Sequence, residues 1–221
     1  MRFWTTLLGL AGNRLVGPPV IVAVLVFAAA GFLLTPPRYV SSAAMVITIS
    51  TAGGTQEVRP AAEQLLTNPL LQFGDPLRTT AGIVILSMRN ERVAKALGVT
   101  DGGPVEVTVD DGRTDPELLK VGSTGPFVHI EVEGPSAAAV RDVMAKAQGQ
   151  VRTELKNWQT SLGAPPITHM GMLDVRPATP PEPVYRDRIL AAAGGGVLGA
   201  LIGAGVAYAL TRRATRGGVP R

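Results

Sequence analysis

The chain has 221 residues, of which 46% are hydrophobic, 5% aromatic and none cysteine, and it carries a net charge of +4. Without cysteine there is no disulfide, thiolate metal site or cysteine nucleophile, and with so few aromatics no stacking platform for nucleic acid is expected. The positive charge is not a binding face either: residues 36–188 hold fifteen bases against all seventeen acids, while Arg2, Arg14, Arg212, Arg213, Arg216 and Arg221 lie outside with no acid among them.

Residues 1–14 read as a short cytoplasmic tail in which Phe3 and Trp4 can lie along the inner membrane surface. No charge occurs between Arg14 and Arg38, so residues 15–35 are predicted as a first transmembrane helix. Pro18 and Pro19 suit its first turn, where a missing N–H costs nothing, and Pro36 and Pro37 stop it. A prolyl pair at each end fits a retained span better than a cleaved signal peptide.

Residues 36–188 read as one extracytoplasmic α+β domain. Tyr39–Ser50 is β-prone, and TAGGTQEVRP (51–60) is a loop. Residues 61–99 look helical in pieces, broken at Pro69 and Pro76 and closed by Gly98. PVEVTVDDG is a strand running into a turn, where Asp110 and Asp111 suit the backbone geometry rather than a cation. In FVHIEVEG, Phe127, His129, Glu131 and Glu133 alternate with Val128, Ile130 and Val132, the pattern of a half-buried strand. His129 and His169 are expected to be structural.

Ser136–Leu162 is the clearest helix, capped by Ser136 and ended by Gly163. Val140, Val143, Met144, Ala147, Val151, Leu155, Trp158 and Leu162 form one stripe along it, to pack on the sheet. MGMLDVRP is the last strand. The proline-rich segment 176–188, with Pro177, Pro180, Pro181 and Pro183, is predicted to be an extended strut with few internal hydrogen bonds. No arrangement of residues carries catalysis, and no cofactor or metal is expected.

Residues 189–211 are again uncharged and are predicted as a second transmembrane helix, followed by a cytoplasmic tail, 212–221. GGGVLG, Gly194 to Gly199, matches G-x-G-x-x-G, but no strand precedes it and no acid follows it, so a dinucleotide loop is rejected. Gly195, Gly199 and Gly203 instead recur every four residues, the spacing of a membrane helix-packing face, used within the chain or between copies. Arginines at both chain ends put both tails in the cytoplasm.

Four features carry a resemblance to a known family. They are two terminal spans around one external domain, YVSSAAMVIT directly after the first span, RNERVAKALGV, and LDVRPATPPEPVYRDR before the second span. In these the chain resembles the chain-length determinant (Wzz-like) proteins, the polysaccharide co-polymerases of bacterial envelopes. It departs from them in its shorter external helix and in YRDR where a serine-proline pair is typical. It also lacks a Walker-type loop and a tyrosine cluster in the tail. The resemblance implies a non-catalytic protein of the bacterial inner membrane that forms homo-oligomers. Its implied partners are membrane lipid, a polysaccharide polymerase or exporter and, in some members, a separate cytoplasmic kinase. The rival reading is an envelope scaffold or sensor that binds a protein partner and has no link to polysaccharide.

Overall fold

The computed structural model describes residues 17–50, 55–56, 66–72, 75–100, 102–121 and 125–217. The expected tail 1–14, the start of the first span, most of the loop 51–60 and the helical start at 61–65 lie outside these residues. The chain divides into two units, one formed by its two end segments and one spanning Arg38–Pro183.

The Arg38–Pro183 unit is built on an antiparallel sheet. Its strands are β1 (Arg38–Thr48), β4 (Glu106–Asp110), β5 (Phe127–Gly134) and β6 (Gly171–Arg176), in the order β4-β5-β1-β6. Two two-residue strands, β2 (Thr55–Gln56) and β3 (Leu66–Thr67), pair with each other, so part of the expected loop is a small ladder. A short strand β7 (Glu182–Val184) also pairs with β1. β1 lies at the centre, with Tyr39 to Val46 matched against Gly134 to Phe127, and a bulge at Ala44/Met45 shifts its register on β6.

Alternation sets which face is covered. Ala43, Met45 and Ile47 of β1 and Val128, Ile130 and Val132 of β5 form the core with the buried side of helix Ala137–Ser161. That side consists of Val140, Val143, Met144, Ala147, Val151 and Leu155. The predicted stripe is therefore the core face, except that Trp158 and Leu162 at its end are exposed. Ser136 caps the helix by accepting from the Ala139 N–H at 3.2 Å, and Gly163 follows it at φ 73°.

The helical stretch before β4 falls into three pieces. These are a 3-10 turn at Pro69–Gln72 and the α-helices Pro76–Met88 and Glu91–Leu97. Asn90 separates the last two because its side chain accepts from the Arg92 N–H and so caps a new helix. A buried polar knot ties these pieces to the far end of the long helix. Gln159 Oε1 accepts from Asn68 Nδ2 at 2.8 Å and from the Met170 N–H at 2.5 Å. Asn68 Nδ2 also donates to the Thr168 carbonyl at 3.0 Å.

The other unit holds two long helices, Gly17–Leu34 and Arg186–Gly217. Both are long and apolar enough to cross a membrane. The first begins with Pro18 and Pro19 in its opening turn. The second is longer than the expected span of 189–211: arginine is a good helix former, so Arg186 to Arg188 and residues 212–217, expected as linker and tail, continue the helix. Its 32 residues measure about 48 Å at 1.5 Å each, against about 30 Å for a hydrocarbon core.

Replacing Gln159 by leucine removes the acceptor for two buried N–H groups, at about 1–3 kcal/mol for each group orphaned. Urea unfolding of the purified full chain should show this loss. Lys146→Leu, at an exposed position of the same helix, should stay within about 0.5 kcal/mol of the parent.

Candidate functional site

The three predicted packing glycines lie on one side of the second long helix, against the backbone of the first. A Cβ added at Gly199 would sit 2.6 Å from the Ala23 carbonyl oxygen, and one at Gly203 would sit 2.8 Å from Val20 Cα. One at Gly195 would strike the Phe27 carbonyl. The first helix contributes a glycine of its own, Gly31, which faces the Ala191 carbonyl. These clashes are with backbone atoms, which cannot rotate away. Small residues at i, i+4 and i+8 are what permit two helix axes to come this close. Gly194 and Gly205, elsewhere on the second helix, face open space.

The same pair is fastened at one end by Arg188. Its Nε donates to the Thr35 carbonyl at 3.0 Å, and its guanidinium lies 5.4 Å from the Phe32 ring centroid. Away from the contact, the helices present large apolar side chains to their surroundings: Leu25 is 63% exposed and Leu201 68%. Buried core helices of water-soluble proteins hide such residues. This pair displays them around its outside, as a lipid-facing pair does.

In the other unit, Pro177, Pro180, Pro181 and Pro183 lie along β1, and the segment is attached by the pairing of β7 with β1 and by Thr179. Its N–H donates to the Ser42 carbonyl at 2.9 Å. Its hydroxyl accepts from the Ser42 N–H at 3.0 Å, and its carbonyl accepts from the Ser41 hydroxyl at 2.7 Å. The proline segment is thus held at its middle as well as through β7. Pro180 and Pro181 border a groove with Arg141 and Gln148.

Sequence reasoning missed a polar row that crosses the sheet. Asp110 of β4 pairs in register with His129 of β5, His129 with Ala44 of β1, and Ala44 with Arg176 of β6. Alternation along β5 groups His129 with the more accessible Glu131 and Glu133, yet its ring is 1% exposed. The turn after β4 and the short helix Pro116–Val121 supply its cover. Asp110 Oδ1 accepts from the Gly112 N–H at 2.7 Å, with Gly112 at φ 91°, and Asp110 Oδ2 accepts from the Thr114 hydroxyl at 2.6 Å. This turn lays Asp115 over the row.

His129 Nε2 comes within 3.4 Å of Asp115 Oδ2, and its Nδ1 within 3.3 Å of Thr114 Oγ1. Arg176 pairs with Asp115 and reaches Glu117 at 3.5 Å. Burial pushes the Asp115 carboxyl up. The Arg176 guanidinium, with the N–H groups of Glu117 and Leu118, outweighs it and leaves the group below the ordinary carboxylate range.

Thr114, His129 and Asp115 resemble a nucleophile, base and orienter only in type. The threonine hydrogen is committed to Asp110, and the histidine is sealed from solvent, so the cluster serves to close the turn. Among the described residues, no group of three or more histidines or acids is placed to hold a metal ion. No family model matches the chain, and no curated protein matches it in sequence.

Two outcomes test these contacts. A Cβ at Gly196 would lie 3.8 Å from the Ala28 Cβ, inside the range of a disulfide. In this cysteine-free chain, the double variant Ala28→Cys, Gly196→Cys should oxidise to an intrachain bridge, read as a faster-migrating monomer on a non-reducing gel. Adding Gly199→Leu should abolish the bridge; a bridged dimer would place the glycine face between copies. Asp115, with its lowered pKa, contributes stability that is present above about pH 4 and lost as pH falls through the lowered value. Asp115→Asn should therefore flatten the acid limb of a stability–pH profile measured from pH 7 to 2.

Proposed function

We propose that the chain is a non-catalytic membrane co-polymerase that regulates the chain length or export of a surface polysaccharide. In this reading both long helices span the bacterial inner membrane, both termini are cytoplasmic, and the Arg38–Pro183 unit is extracytoplasmic. The observation that carries the reading is the pairing of two apolar end helices through backbone-close glycines. A single α+β unit is inserted between them, beginning four residues after Leu34. This is the topology of the resemblance to Wzz-like proteins, and the six terminal arginines support the orientation.

The protein acts by assembly. Copies associate side by side in the bilayer and work with a polymerase or exporter. The geometry of the assembly, rather than bond chemistry, limits how long a glycan grows. The glycine face is taken up inside each copy. Contacts between copies then fall to the lipid-exposed flanks of the helices and to the external units. The proline segment, held to β1 by Thr179, serves as part of the folded unit rather than as a loose tether.

Deleting the gene and sizing the surface polysaccharide on a gel tests the reading. A broadened or shifted length distribution, restored by the wild-type chain and not by one carrying Gly199→Leu, is the expected result. An unchanged distribution would favour the envelope scaffold or sensor.

A further inference from the structure

Trp158 is the residue the core leaves unexplained. It continues the stripe of Val151 and Leu155, both buried, yet its own ring is 40% exposed. It is also fixed. The indole N–H donates to Ser87 Oγ at 2.6 Å, and that hydroxyl donates in turn to the Ile83 carbonyl at 3.0 Å. An indole held in place and partly uncovered is prepared to receive something flat and partly apolar.

The ring borders a groove of about 610 Å³ between helices Pro76–Met88 and Glu91–Leu97 and the end of the long helix. Its other walls are polar: Asn90, Asn157, Arg92, Glu154 and Lys156, with the hydroxyls of Thr160 and Ser161. Glu154 has only 4% of its side chain exposed and is held by Arg92 at 3.1 Å and by Gln150 at 3.0 Å. Arg92 is itself well exposed, so the guanidinium satisfies the buried carboxylate and still offers N–H groups to the groove.

We infer that this groove binds a pyranose segment of a glycan. One face of a pyranose is a sheet of C–H bonds that lies on an indole, and its rim of hydroxyls both donates and accepts. The Arg92 guanidinium donates, and the amides of Asn90 and Asn157 both donate and accept; the Glu154 carboxylate holds Arg92 in place. An extended peptide would need a free strand edge or apolar pockets, which this groove does not provide. A nucleotide would also stack on the indole, and the test below separates it from a sugar. The identification of the ligand as the glycan under control rests on the co-polymerase reading above. The sugar-binding chemistry of the groove does not.

The test uses the full chain in nanodiscs carrying Trp4→Phe, which leaves Trp158 as the single tryptophan. Maltohexaose serves as a neutral probe, an oligogalacturonate hexamer as an acidic one, and adenosine monophosphate as the nucleotide control. At least one hexasaccharide should give a saturable change in Trp158 emission at millimolar concentration or below. Arg92→Ala, at an exposed position, should weaken that binding at least fivefold, and calorimetry on Trp158→Ala should show it lost. Arg141→Ala, in the groove by the proline segment, should leave it unchanged.

The inference is overturned if neither hexasaccharide binds, if Arg92→Ala binds as well as the parent, or if adenosine monophosphate binds as tightly as the sugars. Sugar binding in a protein whose gene deletion leaves polysaccharide length untouched would retain the groove and remove the co-polymerase. Altered polysaccharide with no sugar binding would do the reverse.

Discussion

Everything in the end-segment unit depends on how closely two helical backbones approach. Four positions, Gly31, Gly195, Gly199 and Gly203, have no room for even one carbon beyond Cα, because the atoms opposite are main-chain carbonyls and Cα atoms. On the co-polymerase reading the pair lies in lipid, where no water drives helices together and contact area and shape hold the pair. A side chain at any of these positions would separate the axes along the whole seam. The closeness also decides where the glycines are spent. A face already filled by the chain's own first helix is not open to a second copy.

The Arg38–Pro183 unit meets a different requirement with its polar row. The core face of the sheet is apolar and covered by the long helix together with Pro76–Met88 and Glu91–Leu97. The opposite face carries Asp110, His129 and Arg176 across neighbouring strands. The small Ala44 between the last two leaves them room to reach Asp115 above the sheet. Buried charges are tolerated when paired and hydrogen-bonded: the turn from Asp110 to Asp115 satisfies Asp110 through the Gly112 N–H and the Thr114 hydroxyl, pairs Asp115 with Arg176, and acts as the lid. Removing Asp115 takes from Arg176 its buried partner and leaves it Glu117 and the Ser42 hydroxyl. The row is therefore a constraint on the sheet.

Much of this was legible in the sequence, for identifiable reasons. Uncharged runs mark both apolar helices. Period-two alternation marks β5, and spacing of three and four with Ser136 and Gly163 marks the long helix. The stop between Pro76–Met88 and Glu91–Leu97 was also written in the chain, since Asn90 followed by an acid is a helix start, but no proline announced it. What could not be read was mutual placement. Gly31 is one small residue in a run of alanines until the register on Ala191 is known. Thr179 is hidden among prolines, although it alone among them has both the N–H and the hydroxyl needed to dock on β1. The burial of His129 was not legible, because alternation reports which side of a strand a residue takes and not what covers that side. Trp158 fits an apolar stripe by spacing, and only its exposure separates it from the core.

The central claim is that the two apolar helices cross a bilayer as a hairpin, with the Arg38–Pro183 unit on one side and both chain ends on the other. The lack of cysteine permits a direct measurement. Single cysteines are introduced at Lys146, exposed on the long helix of that unit, and at Val219 near the chain end, and probed with a membrane-impermeant maleimide on intact spheroplasts. The account predicts labelling of Lys146→Cys at once and of Val219→Cys only after the membrane is permeabilised. Labelling of Val219→Cys on intact spheroplasts, or recovery of the chain free of membrane, would contradict it.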